Sequence, residues 1–143
     1  MAGRLFVRRR DGRIEVRLND AGRAIAREAF GHVLAAEADP DHEWHASLNA
    51  PIDPSHDVDD PLATFNRQSE ITSNVELAVA TLGEEFLNDA EAWAWLCSLQ
   101  IALRATITAK GLLSEDRLAL ADAPTRDYIT TLQTFLFSLA EVL

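Results

Sequence analysis

A chain of 143 residues with 48% hydrophobic and 25% charged side chains has the size and balance of one globular domain that buries roughly 68–70% of its unfolded surface, which excludes the disordered and collagen-like classes. Cys97 is the only cysteine, so no intrachain disulfide framework exists and an oxidising compartment has no chemical support. The net charge of −10 conceals an asymmetry: residues 1–27 carry eight arginines against Asp11, Glu15 and Asp20, whereas the remainder carries 5 basic and 20 acidic residues.

Arg4 to Leu18 alternates about Asp11-Gly12, a pair suited to the positive φ angles of a two-residue type I′ turn, and predicts a β-hairpin. Such a turn would pair Arg10 with Arg13, Arg8 with Glu15, Val7 with Val16, Phe6 with Arg17 and Leu5 with Leu18. Leu5, Val7, Ile14, Val16 and Leu18 would then share one face, and Arg4, Phe6, Arg8, Arg10, Arg13, Glu15 and Arg17 the other. The only apolar run here, Leu5-Phe6-Val7, is too short for a signal-peptide core.

Asn19 or Asp20 is placed to cap a first helix carrying Ile25, Ala29, Val33 and Ala36 at helical spacing and ending near Ala38. The stretch 39–60, with Asp39-Pro40, Ala50-Pro51, Asp53-Pro54 and Asp59-Asp60, reads as a long loop. Its His42, His45 and His56 stand among carboxylates but lack the helical HExxH arrangement, so no metal site is assigned.

Asp60-Pro61 starts a second helix with Ile71, Val75, Ala78, Val79 and Leu82 on its stripe. Leu62 and Phe65 lie off that stripe, which predicts a bend or separate turn in the polar run Asn66 to Glu70. Gly83 closes the segment. Asn88 or Asp89 caps a third helix running to about Lys110, with Leu96, Leu99, Leu103 and Ile107 on one side and Ala94, Ser98, Ala102, Ala105 and Ala109 on another. This pattern predicts the central helix. Trp93 and Trp95, about 200° apart around a helix, cannot face the same neighbour. Ser114 is placed to cap a short turn, and Pro124 opens a last helix whose Thr130, Thr131, Thr134 and Ser138 form a neutral face beside Phe137. The longest charge-free stretches, 92–103 and 128–140, fall short of the roughly 18 residues of a membrane span.

The fold expected is therefore α+β: one domain spanning 1–143, with a hairpin at 4–18 packed on an antiparallel bundle of about four helices in the body 20–143. The guanidiniums of Arg4, Arg8, Arg10, Arg13 and Arg17 are the candidate binding residues, suited to phosphates or a carboxylate-rich partner. Cys97, flanked by Leu96 and Ser98, reads as a small core residue rather than a nucleophile. Arg104 and Gln100, with Arg67 and Asn74, offer a candidate polar pocket. No catalytic residue, metal ligand or cofactor motif is identified.

The segments RRRDGRIEV, Asp60 to Leu82 ending in AVATL, LNDAEAWAWLCSLQIALRAT and YITTLQTFLFSLAEVL resemble an uncharacterised family of small actinobacterial proteins classed as a domain of unknown function. The resemblance covers most of the chain outside the 39–59 loop. It implies an intracellular bacterial protein without an assigned activity, often encoded near an adaptor of the Clp protease, and it supplies no site residues. The function expected is a non-enzymatic interaction or regulatory protein of the cytoplasm. Nucleic-acid binding through the hairpin is the alternative, and an enzyme or ligand-binding protein with a pocket near Arg104 comes third. Self-association, as a homodimer, is expected from the split tryptophans and from the small and neutral helix faces.

Overall fold

The computed structural model describes residues 4–38, 61–109 and 121–143, with side chains at 4–36, 69–107 and 121–143. The expectations for the loop 39–60, its histidines and carboxylates, and the turn at Ser114 lie outside these residues. The elements are β1 (Phe6–Arg8), β2 (Ile14–Val16), α1 (Asp20–Ala38), α2 (Pro61–Ala80), β3 (Phe86–Leu87), α3 (Asp89–Ala109) and α4 (Ala123–Ala140). The architecture is the expected α+β arrangement, mostly helical. The hairpin, however, is part of a three-stranded antiparallel sheet in the order β1-β2-β3. Residues 84–88 give almost no strand signal because β3 contributes only two residues, Phe86 beside Glu15 and Leu87 beside Ile14.

The predicted hairpin register is wrong by one residue. Phe6 pairs with Val16, Val7 with Glu15 and Arg8 with Ile14, and the Arg17 N–H donates to the Leu5 carbonyl at 2.8 Å. The loop holds three residues, not two. The Arg9 N–H donates to the Arg13 carbonyl (2.7 Å), and the Gly12 N–H donates to the Arg9 carbonyl (3.0 Å). A type I′ turn needs positive φ at two consecutive residues, yet among the described residues only Gly12, at φ 91°, has one. This is the three-residue loop in which a left-handed glycine closes a bulge.

Packing explains why this register wins. A one-residue slip of β1 turns all its side chains over, moving Phe6 from the arginine face into the core, where it is 1% exposed. Val7 moves out to a half-buried position. A phenyl ring removes far more apolar area from water than an isopropyl group, and full burial of such a side chain stabilises by about 1.5–3 kcal/mol.

Phe6 meets Trp95 edge-on at 6.1 Å between centroids, and Phe30 of α1 meets the same indole at 5.4 Å. The indole N–H of Trp95 donates to Thr81 Oγ1 (2.8 Å), which in turn donates to the Leu77 carbonyl (2.9 Å). Ile14, Val16, Leu18, Val33, Val75, Leu87, Leu99, Leu132 and Leu139 complete one contiguous core.

Helix ends follow their caps. Asn19 Oδ1 accepts the Gly22 N–H at 2.8 Å, and Asn88 and Glu91 exchange reciprocal bonds of 2.8 Å at the start of α3, so that each side chain satisfies an orphan donor. α2 runs without interruption through Asn66 to Glu70. The separate turn expected there does not form, since the run contains neither proline nor glycine to break the helix. α3 is central, packing against α1, α2 and α4. Its small residues Ala94, Ser98, Ala102 and Ala105 are buried within the chain. No described helix is long and apolar enough to cross a membrane.

Candidate binding face of the sheet

With β1 in its observed register, the sheet separates an inner set, Phe6, Ile14, Val16 and Leu87, from an outer set of Val7, Arg9, Arg13, Glu15, Arg17 and Phe86. The outer face is a basic platform around one carboxylate. Glu15 accepts from Arg9 on one oxygen and from Arg17 on the other, each at 3.0 Å. Arg13 lies over the Phe86 ring at 4.2 Å, a cation–π stack that orients its guanidinium. It also meets Asp11 Oδ2, its Nε donating at 2.8 Å. At the loop, Asp11 Oδ1 accepts the Arg13 backbone N–H at 3.0 Å.

That backbone bond first, and the Arg13 side chain second, hold the Asp11 carboxyl below its usual range. A carboxyl depressed by folding stabilises the loop above its unfolded pKa, and that contribution is lost as pH falls through the folded value. At neutral pH the Asp11 clasp is intact.

Towards the tip, Arg8, Arg9, Arg10 and Arg13 surround an open hollow of about 490 Å³, together with the carboxylate of Asp11 and the apolar Val7 and Phe86. Arg10 is exposed and, among the described residues, has no ion-pair or hydrogen-bond partner. Arg8 is committed to the fold: Nε donates to the Val142 carbonyl (2.8 Å), and NH1 donates to the Gly12 carbonyl (2.8 Å) and meets Asp89 (3.0 Å). It thereby joins the hairpin to the start of α3 and the end of α4, which places those two helices antiparallel. Arg23, counted in the sequence only as charge, has the same kind of role. Its guanidinium donates to the carbonyls of Leu82 (2.6 Å), Glu84 (3.1 Å) and Val16 (3.4 Å).

The five arginines singled out in the sequence are thus divided. Arg8, Arg10 and Arg13 meet at the hollow, Arg17 is on the outer face against Glu15, and Arg4 stands exposed at the opposite end of the sheet. The expected pairs Arg8 with Glu15 and Arg17 with Phe6 do not form, because the longer loop shifts β1 by one residue. Arg9 and Phe86 were missed. The signal for Arg9 was Gly12 itself, which serves a three-residue loop as readily as a two-residue one. For Phe86 there was no comparable signal.

Elsewhere, several sequence features lose their functional force. Arg104 and Gln100 lie on the exposed side of α3, Asn74 is half-buried, and the Arg67 side chain is outside the described residues. Burial, and secondarily Glu70, raises the Cys97 thiol's pKa, which disfavours the thiolate a nucleophile needs. Burial, and secondarily Glu28, pushes Tyr128 up to about 12. The threonine face of α4 is satisfied locally, since the hydroxyls of Thr131 and Thr134 donate to the Asp127 and Thr130 carbonyls at 2.8 Å. The small-residue face of α3 is already covered by the chain's own helices. Trp93 (55% exposed) and Phe137 (65% exposed) remain as apolar surface, on α3 and α4 respectively, near the ends that Arg8 joins.

Comparisons with protein-family models, with curated proteins and with solved structures return no match for this chain.

Proposed function

We propose that this chain is a non-enzymatic interaction protein of the bacterial cytoplasm that receives an acidic segment of a partner protein on the outer face of its sheet. The observation that carries the reading is the juxtaposition of Arg9, Arg10 and Arg13 with the apolar Val7 and Phe86 in one open hollow. Guanidiniums supply bidentate recognition of carboxylates, and the apolar side chains supply area to bury. The intramolecular pairs there are exchangeable: Arg9 and Arg13 keep 50% and 55% of their side-chain surface exposed, and exposed ion pairs contribute little stability. The body's acidity does not cancel the patch, because charges are screened beyond about 8 Å at physiological salt.

Nucleic acid fits the face less well. Glu15 and Asp11 stand within it, and Phe86, its one aromatic ring, is already stacked under Arg13, whereas single-stranded binding uses a series of open rings. Fluorescence anisotropy with a labelled Asp/Glu-rich peptide and with a DNA oligonucleotide of equal charge separates the two. The peptide is expected to bind and the combined Arg9→Ala, Arg10→Ala, Arg13→Ala variant to lose that binding. Retention of binding by the triple variant would place the peptide away from this face. Tighter binding of DNA, weakening by several powers of ten between about 50 and 200 mM salt, would favour the nucleic-acid reading.

Self-association is our second reading, carried by the exposed Trp93 and Phe137. A measured mass of one subunit at micromolar concentration would remove it.

A further inference from the structure

The charge balance at the hairpin tip points to a more specific ligand, and we infer that the hollow holds a phosphomonoester dianion borne on the acidic partner segment. This inference rests on the acidic-partner reading. Five guanidiniums stand with three carboxylates at the tip and outer face: Arg8 pairs with Asp89, Arg13 with Asp11, Arg9 and Arg17 share Glu15, and Arg10 on the rim of the hollow has no carboxylate of its own among the described residues. The set is left with two uncompensated positive charges. A single carboxylate neutralises only half of that, whereas a phosphorylated side chain carries about −1.5 to −2 and three acceptor oxygens at neutral pH.

Donor geometry agrees with charge. Arg10 has its whole guanidinium to give, and Arg9, on the same rim, is held by one oxygen of Glu15 that Arg17 does not use. Arg13, stacked over Phe86 with its Nε and NH2 on Asp11 Oδ2, has NH1 left to offer from a pre-oriented guanidinium that loses little freedom on binding. Asp11 holds Arg13 and Glu15 holds Arg9 in place, so the anion has only Arg10 to draw in. The two carboxylates also offset the repulsion between neighbouring guanidiniums.

The full chain is titrated with a labelled acidic peptide containing one serine, with its phosphoserine form, and with inorganic phosphate as competitor. The phosphopeptide is expected to bind at least about tenfold tighter than the unphosphorylated peptide. That advantage should fall to about twofold or less in Arg10→Ala, an exposed position whose loss leaves the fold intact by circular dichroism. Equal affinity of the two peptides overturns the phosphomonoester inference and leaves acidic docking standing, whereas failure of both peptides to bind overturns both. A phosphorylation advantage that survives in Arg10→Ala and in Arg9→Ala places the anion elsewhere and overturns the site. Competition by inorganic phosphate as strong as that of the phosphopeptide makes the ligand a free anion and overturns the peptide-borne source.

Discussion

Replacing Trp95 by alanine is expected to lower the unfolding free energy by about 3–5 kcal/mol, whereas the same replacement at Trp93 should change it by no more than about 0.5 kcal/mol. The two residues differ only in where the helix aims them. Trp95 has no exposed surface, packs nearly perpendicular to two phenylalanine rings and donates its N–H to Thr81, while Trp93 is more than half exposed. Native stability is typically about 5–15 kcal/mol, so loss of Trp95 removes a large share of it. Thr81→Val tests the polar part separately. It leaves the indole N–H buried without its acceptor, at a cost of about 1–3 kcal/mol. Urea titration of the three variants measures all of this through the midpoint, provided the slope stays constant. Equal effects at Trp93 and Trp95 would mean that the side of α3 facing the core is misassigned.

Sequence made the helices legible because each carries both a stripe and an end signal. Asn19 and Asn88 cap where their side-chain chemistry allows, and α1 carries its expected stripe, with Ala29, Val33 and Ala36 buried. The central place of α3 was also readable, since apolar or small residues occupy most of its circumference and only a central helix can bury them all. The sheet was harder. β3 contributes only Phe86 and Leu87, too short to show alternation, and it forms because β2 offers an open edge beside the turn leading into α3. The candidate site inherited the same difficulty. Which arginines share a face depends on hairpin parity, and parity was decided by where Phe6 finds Trp95, a contact between positions 89 residues apart in the chain. Local turn chemistry alone could not supply it.

The register itself can be tested by deleting a residue. In the observed hairpin Arg9 is opposite Arg13, and Arg10-Asp11-Gly12 forms the loop. Removing Arg10 leaves Arg9 opposite Arg13 across Asp11-Gly12, the pair that suits a two-residue type I′ turn. Phe6 would keep Val16 as its partner and Trp95 as its neighbour. The deletion is therefore expected to cost no more than about 1–2 kcal/mol, the scale of forcing Asp11 into the left-handed region. In the alternative register, where Asp11-Gly12 is already the whole loop and Val7 faces the core, the same deletion would turn every β1 side chain over and expel Val7. Substitutions on either side of the parity complete the argument. Phe6→Ala should cost about 3–5 kcal/mol, and Val7→Ala, at a half-buried position on the outer face, about 1 kcal/mol or less. Reversal of that order would put Phe6 outside and Val7 inside, and with it move Arg9 off the binding face and return Arg8 to it. The stability of two point variants thus decides which guanidiniums are presented to a partner, because in a strand the choice of the buried residue is also the choice of the exposed one.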